Sequence, residues 1–100
     1  DRYNSEIYGA SKASIIQITK YLGVLYAKDK IIMNCISPGG TIDKTIKISK
    51  SFKSRYSKNV PLNRMAKPEE IITAIMYLSS DQTTYTIGQN IVVDGGLSSW

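Results

Sequence analysis

The stretch "IIMNCISPGG", Ile31 to Gly40, decides how the rest of the chain is read. Its apolar part, Ile31 to Ser37, is bounded by Lys28-Asp29-Lys30 on one side and Pro38-Gly39-Gly40 on the other. A run this short, closed by charges and then by a proline and two glycines, predicts a strand buried on both faces and ended by a loop. Upstream, from about Tyr8 to Tyr26, Ile15, Ile18, Leu22 and Leu25 recur at helical spacing, and the cations of "KDK" suit the negative end of that helix. Small residues, Gly9 to Ser11 with Ala13 and Ser14, crowd its first turns.

Downstream the pattern repeats. Pro68, with Glu69 and Glu70 behind it, suits the first turn of a helix that would bury Ile71, Ile72, Ile75, Met76 and Leu78. "GQNIVVDGG" then predicts a strand over Asn90 to Val93, cut off by Asp94-Gly95-Gly96. Helix, strand, irregular insert, helix, strand is the order of an α/β protein with a parallel sheet. Two strands do not make a stable sheet alone. With the chain starting at Asp1, the 100 residues are read as one partial domain, a piece of a longer product.

Composition narrows the function classes. There is no histidine, and Cys35 is the single cysteine, so neither a metal centre nor a disulfide framework is expected; the lone thiol suits a reducing cytoplasm. No apolar run approaches the ~20 residues of a membrane-spanning helix. The net charge of +5 is local: six bases stand against the single acid Asp43 between residues 43 and 58, while the remaining charges cancel. Ile46, Ile48, Phe52 and Tyr56 would give that segment an apolar stripe if it is helical.

One pair carries chemistry. Tyr8 and Lys12, four residues apart, share a helix face with Cβ atoms roughly 5–6 Å apart. A phenol of pKa ~10 is a poor proton shuttle at neutral pH. An ammonium ~6 Å away, at an effective dielectric near 20, favours the phenolate by roughly 2.8 kcal/mol. Spacing alone is weak evidence: with seven tyrosines in the chain, about 0.7 such pairs arise by accident. Tyr26 and Lys30 form a second pair of that kind.

Context is more specific than the pair. "YGASKASI" at a helix start, "NCISPGG" at the end of the following strand, "PLNRMAKPEEI", and "GQNIVVDGG" near the C-terminus occur in that order. Together they resemble the C-terminal half of the short-chain dehydrogenase/reductase family in its standard-length form, from about Ile7 to Gly96. The resemblance implies the C-terminal part of a doubly wound Rossmann-type parallel sheet. It implies an oxidoreductase interconverting an alcohol and a carbonyl with NAD or NADP. Tyr8 would be the catalytic acid/base, and Lys12 would favour its phenolate and bind the nicotinamide ribose. Pro38 and Gly39 would pass the nicotinamide, and the backbone around Gly40 and Thr41 would meet its carboxamide. Segment 43–58 falls where the family's substrate-covering lid lies, and its cations suit an anionic or carrier-linked substrate such as a 3-oxoacyl-carrier thioester, or a sugar derivative. A solvated lysine-rich helix accounts for them equally well. Family members are dimers or tetramers, so a homodimer or homotetramer is expected of the intact protein.

Three departures qualify this. Asp43 stands where the family commonly has a cofactor-binding threonine, leaving Thr41 or Thr45 to substitute, and the usual Ile-Thr before Gly-Gln is reversed as Thr86-Ile87. The glycine-rich phosphate loop, the cofactor-selecting residue, the Asn-Ala-Gly stretch and the catalytic serine would all precede Tyr8, and Ser5 is too close to replace that serine. The piece alone is therefore expected to lack a dinucleotide site and turnover. Two rival readings belong to other classes: a non-catalytic remnant or interaction piece, and a basic nucleic-acid-binding module on segment 43–58. The second is disfavoured because the rest of the chain is neutral and carries no recognised binding motif.

Overall fold

The computed structural model describes residues 5–42, 45 and 47–100, without the side chain of Ser5. Its elements are helix α1 (Ser5–Tyr26), a single 3₁₀ turn (Ala27–Asp29), strand β1 (Cys35–Pro38), helix α2 (Lys50–Lys58), helix α3 (Pro68–Ser79) and strand β2 (Asn90–Val93). The order is the expected helix, strand, insert, helix, strand, with a short helix, α2, inside the segment read as an irregular insert. The two strands are hydrogen-bonded neighbours. Cys35 N–H donates to Gln89 O and Gly39 N–H to Val93 O, so the partners advance together along both strands, as only a parallel pair allows.

The described residues form two compact units. The first contains α1, the residues up to Cys35, and Asp81–Asn90; the second contains Ile36–Ser80 and Ile91–Trp100. In the first unit the C-terminal half of α1 lies against the segment that leads into β2. A Cβ at Gly23 would fall 3.0 Å from Gly88 N and 3.2 Å from the Ile87 side chain, so a larger residue there would need the Gly88 backbone to give by a few tenths of an ångström. Gly88 itself has φ +68°, a conformation glycine adopts without strain. Asn34 closes the same unit: its amide donates to Thr86 O at 2.7 Å and its oxygen accepts from Gln89 N–H at 2.9 Å. The side chain thus ties backbone to backbone, which is the structural role its place in the strand run suggests. Buried Thr19 is satisfied by donating to Ile15 O one turn earlier.

The second unit is centred on Val60 and Met65, the only apolar side chains among the described residues that are buried. Around them the turn after β2 is locked by Asp94, whose carboxylate accepts from Gly96 N–H and Ser98 N–H. These bonds, with the Ser98 hydroxyl foremost, hold the Asp94 carboxyl below the usual aspartate range. Gly95 and Gly96 both have positive φ. Trp100 donates from its indole to Asn59 O but keeps its ring exposed.

Three expectations are corrected. The strand begins at Cys35, not Ile31, and none of its residues is buried. Ile31 and Ile32 are exposed instead, and the backbone before Cys35 follows Lys30 in the left-handed conformation. Helix α3 starts at Pro68 as expected but buries nothing: Ile72, Ile75 and Met76 are all exposed. Periodicity reports which face of an element is apolar; it does not report whether the same chain supplies the cover. Finally, the basic helix spans only Lys50–Lys58, begun by Ser49, whose hydroxyl accepts from Phe52 N–H. Asp43, Lys44 and Ile46, the other parts of that expectation, lie outside the described residues.

Candidate active site

Two groups of residues bear on chemistry, one in each unit. In the first, α1 carries Tyr8 and Lys12 on one face, and the Lys12 ammonium lies over the Tyr8 ring, 5.3 Å from its centroid. That is within reach of a cation–π attraction, on the shared helix face that the i, i+4 spacing gives. Tyr8 is 61 % exposed. No described atom outside its own helix turn comes within 4 Å of a Cβ built at Gly9, so close packing among the described residues does not account for the glycine. The neighbouring hydroxyls turn back on the helix: Ser11 donates to Tyr8 O and Ser14 to Ala10 O. The competing pair does not survive folding. Helix α1 ends at Tyr26, and Lys30 takes φ 61° beyond the 3₁₀ turn, so the two do not lie on one helix face.

In the second unit, the loop after β1 is held from several directions. Gly39 N–H donates to Val93 O, and the backbone passes so close to β2 that a Cβ at Gly39 would fall 2.9 Å from Asp94 Cα. Gly40 N–H donates to the Tyr56 hydroxyl oxygen, and Gly40 O accepts from Ala66 N–H. Ile42 N–H donates to Ala66 O, which makes Thr41 and Ala66 a parallel bridge. In such a bridge the bonds to Ala66 come from the residues either side of Thr41, so the N–H and C=O of Thr41 itself point away from Ala66. The Thr41 hydroxyl donates to Gly39 O and stiffens the turn.

Ala66 is anchored in turn by α3. Arg64 makes a two-pronged ion pair with Glu70, Nη1 to Oε2 at 2.7 Å and Nη2 to Oε1 at 2.6 Å, while Lys67 N–H donates to the same carboxylate at 2.8 Å. The Arg64 hydrogen bonds first, then that of Lys67, hold the Glu70 carboxyl down at about 2, and the Arg64 guanidinium is raised by the same pairing. Both side chains are well exposed, so solvent screening limits what the pair adds to stability. Its effect is to fix where residues 64–67 run. A cavity of about 100 Å³ lies among Gly39, Gly40, Tyr56, Arg64, Glu70 and Asp94. Ligand pockets are typically about 300–1,000 Å³, so this cavity alone does not hold a substrate.

The composition-based reading did not single out Tyr56, Arg64 or Glu70. Tyr56 was legible only as one member of an apolar stripe, and the Arg64–Glu70 spacing of six residues across Pro68 matches no regular period. No cluster of metal-ligating side chains occurs among the described residues, and none of their helices is long and apolar enough to cross a membrane.

The motifs on these elements have counterparts in known proteins. A family model described as enoyl-(acyl carrier protein) reductase matches residues 1–98. A solved short chain dehydrogenase family protein from Francisella tularensis superposes with a TM-score of 0.86 at 31% identity, over 100% of this chain and 46% of that one. The chain belongs to the short-chain dehydrogenase/reductase family. Another member, the short chain dehydrogenase of Leptospira borgpetersenii, was solved with bound NAD+; it aligns with a TM-score of 0.85 at 39% identity, over 93% of this chain and 35% of that one. Among curated relatives, 3-oxoacyl-(acyl-carrier-protein) reductase of Chlamydia muridarum is 41% identical over 91% of this chain and 37% of its own length. D-arabinitol 2-dehydrogenase (ribulose-forming) of Candida tropicalis is 36% identical over 94% of this chain and 35% of its own length. The chain thus spans 35% to 46% of the length of these short-chain dehydrogenase/reductase relatives, and its fold is the matching part of their Rossmann-type α/β architecture.

Proposed function

We propose that this chain is the C-terminal portion of an NAD(P)-dependent oxidoreductase domain that interconverts an alcohol and a carbonyl, with Tyr8 as acid/base and Lys12 as its helper. The observation that carries the reading is the Lys12 ammonium 5.3 Å from the Tyr8 ring on a helix turn that nothing else in the described chain covers. A phenol with a cation fixed beside it, in the open, is a donor and acceptor of protons ready for an outside partner.

The residues present fit a nicotinamide cofactor. The Lys12 ammonium offers donors to ribose hydroxyls, and Tyr8 lies on the same face. In the loop, Pro38, Gly39 and Gly40 would pass a nicotinamide with their backbone, and Thr41 would offer an N–H and a C=O to its carboxamide. Because the N–H and C=O of Gly40 are engaged by Tyr56 and Ala66, Thr41 is the position assigned to that contact. The cofactor supplies hydride to the carbonyl carbon. Tyr8 donates its phenolic proton to the carbonyl oxygen as negative charge develops there, and Lys12 stabilises the phenolate left behind; in oxidation the phenolate takes the alcohol proton.

Exposed Lys50, Lys53, Arg55 and Lys58 on α2 favour an anionic or carrier-linked substrate, in keeping with the acyl-carrier relatives; the arabinitol dehydrogenase makes a sugar derivative the other option. The free thiol of Cys35 suits a reducing cytoplasm. The test is Tyr8→Phe in the intact protein. Hydride transfer, followed by reduced-nicotinamide absorbance, should fall by about 10²–10⁴-fold while dinucleotide binding persists. Turnover at the wild-type rate would remove Tyr8 from the role.

A further inference from the structure

Helix α2 does more than carry charge. Tyr56, in its last turn, is half-buried and reaches the loop after β1, where its hydroxyl oxygen accepts the Gly40 N–H. The hydroxyl end of the ring abuts that glycine: a Cβ at Gly40 would fall 2.5 Å from Tyr56 Cζ, 2.7 Å from Cε1 and 2.9 Å from the hydroxyl oxygen. Gly40 is not among the glycines with positive φ, so its backbone would accept an alanine. What excludes a side chain at residue 40 is Tyr56. Phe52, one turn earlier, stacks on Tyr56 with centroids 6.1 Å apart and so steadies the ring from the α2 side.

Both peptide groups that flank Gly40 are thereby pinned, the one before it by Tyr56 at the Gly40 N–H and the one after it by Ala66 N–H at the Gly40 carbonyl. The second of these peptides also carries the Thr41 N–H, which, like the Thr41 C=O, is turned away from Ala66. We infer that Tyr56 is a positioning residue: its hydroxyl holds the loop so that Thr41 presents its backbone pair in the orientation a nicotinamide carboxamide needs, and it makes seating of the basic helix a condition for that orientation. The inference rests on the assignment of this loop to the cofactor. It goes beyond that assignment by naming the side chain that sets the loop, and by coupling α2, where a charged substrate would lie, to the nicotinamide end of the site.

The test compares two ligands on the intact protein. NADH and NADPH are titrated to find which binds, and ADP-ribose or its 2′-phosphate, which lack nicotinamide, serves as the matched probe. Tyr56→Phe keeps the ring and removes the oxygen. It should weaken the dinucleotide about three- to tenfold, the worth of one ordinary hydrogen bond, and leave the ADP-ribose probe unchanged. Equal weakening of both ligands would make Tyr56 merely structural, and tighter dinucleotide binding would make it a competitor; unchanged affinities for both would mean it does nothing here. Each of these overturns the inference.

Gly40→Ala supplies a second arm through a different atom. The added methyl should displace the ring and reproduce the selective loss, yet add no further loss in a Tyr56→Ala background. Additive losses would overturn the coupling. A wild-type protein that binds neither dinucleotide removes the assignment of the loop, and the inference with it, whereas selective failure in the variants alone leaves that assignment standing.

Discussion

The turn that carries Tyr8 and Lys12 and the loop that carries Gly39 to Ile42 are built on opposite principles. Around Tyr8 the helix holds its own side chains: Ser11 and Ser14 bond back to the previous turn, Lys12 lies over the ring, and Gly9 faces open space. Nothing else in the described chain is needed to define the pair. The loop defines nothing by itself. Its backbone groups are positioned by Val93, by Tyr56, by Ala66 and, behind Ala66, by the Arg64–Glu70 clamp. A helix fixes side-chain positions by its own periodicity. An irregular loop fixes backbone positions only through what it touches. The Tyr8–Lys12 pair is therefore defined locally and the loop's backbone groups non-locally.

The largest effect that would break the comparison lies on the helix side. Lys12→Met keeps most of the stem and removes the charge. For an ammonium ~6 Å from a phenolate oxygen at an effective dielectric of 20, the lost attraction is roughly 2.8 kcal/mol, so kcat of the intact enzyme should fall about a hundredfold. The melting temperature should hardly move, because no described packing depends on Lys12. A large loss of stability with little change in kcat would put Lys12 among structural residues and erase the contrast.

The next effect sharpens the contrast through two glycines. Gly39→Ala places a methyl 2.9 Å from Asp94 Cα, a backbone atom that cannot swing aside. Overpacking of that kind should cost about 1–3 kcal/mol, read as a lower midpoint in urea. Gly9→Ala meets no described atom and replaces the weakest helix former but proline with the strongest. It should stabilise by about 0.5–1 kcal/mol. If a cofactor or substrate approaches that turn, the same variant should bind it more weakly. Equal stability changes in the two variants would mean that the helix start is as crowded as the loop.

The contrast also explains what could be read from the amino-acid sequence. Helix α1 with its Tyr8–Lys12 pair, the Pro68 start of α3, and β2 at Asn90–Val93 follow from periodicity, caps and turn residues, which act over a few neighbours. The order of motifs led to the right family for the same reason. The extent of β1 did not follow, because the run Ile31 to Ser37 looks uniformly apolar while the parallel pairing begins only at Cys35, opposite Gln89. The exposure of Ile72, Ile75 and Met76 did not follow either, since an apolar face is a property of the segment, whereas its cover depends on what packs against it. Tyr56 was hidden for a third reason. Its partner is a backbone N–H, and no residue type at position 40 announces that bond except the absence of a side chain.

The smallest effect concerns acid and falls only on the loop side. Glu70 titrates at about 2 in the folded chain against 4.5 ordinarily, because Arg64 and the Lys67 N–H bond its charged form. A carboxyl depressed in this way contributes stability that is fully present above about 4.5 and is lost as the pH falls through about 2. Glu70→Gln cannot ionise, so the melting temperature of the variant should fall less steeply than wild type between those limits. Some slope should remain, since Asp94 is depressed in the same direction by Ser98 and the backbone of its turn. Near neutral pH the variant should be only slightly less stable, given how exposed the ion pair is. Amide exchange separates the two regions within one sample. As the pH is lowered, protection at Ile42 and Ala66 should decline earlier in wild type than at Lys12 to Ile16 of α1, because only the former depend on the clamp that Glu70 completes. A decline in step at both places would mean that acid opens the protein as a whole, and that the loop has no separate anchor.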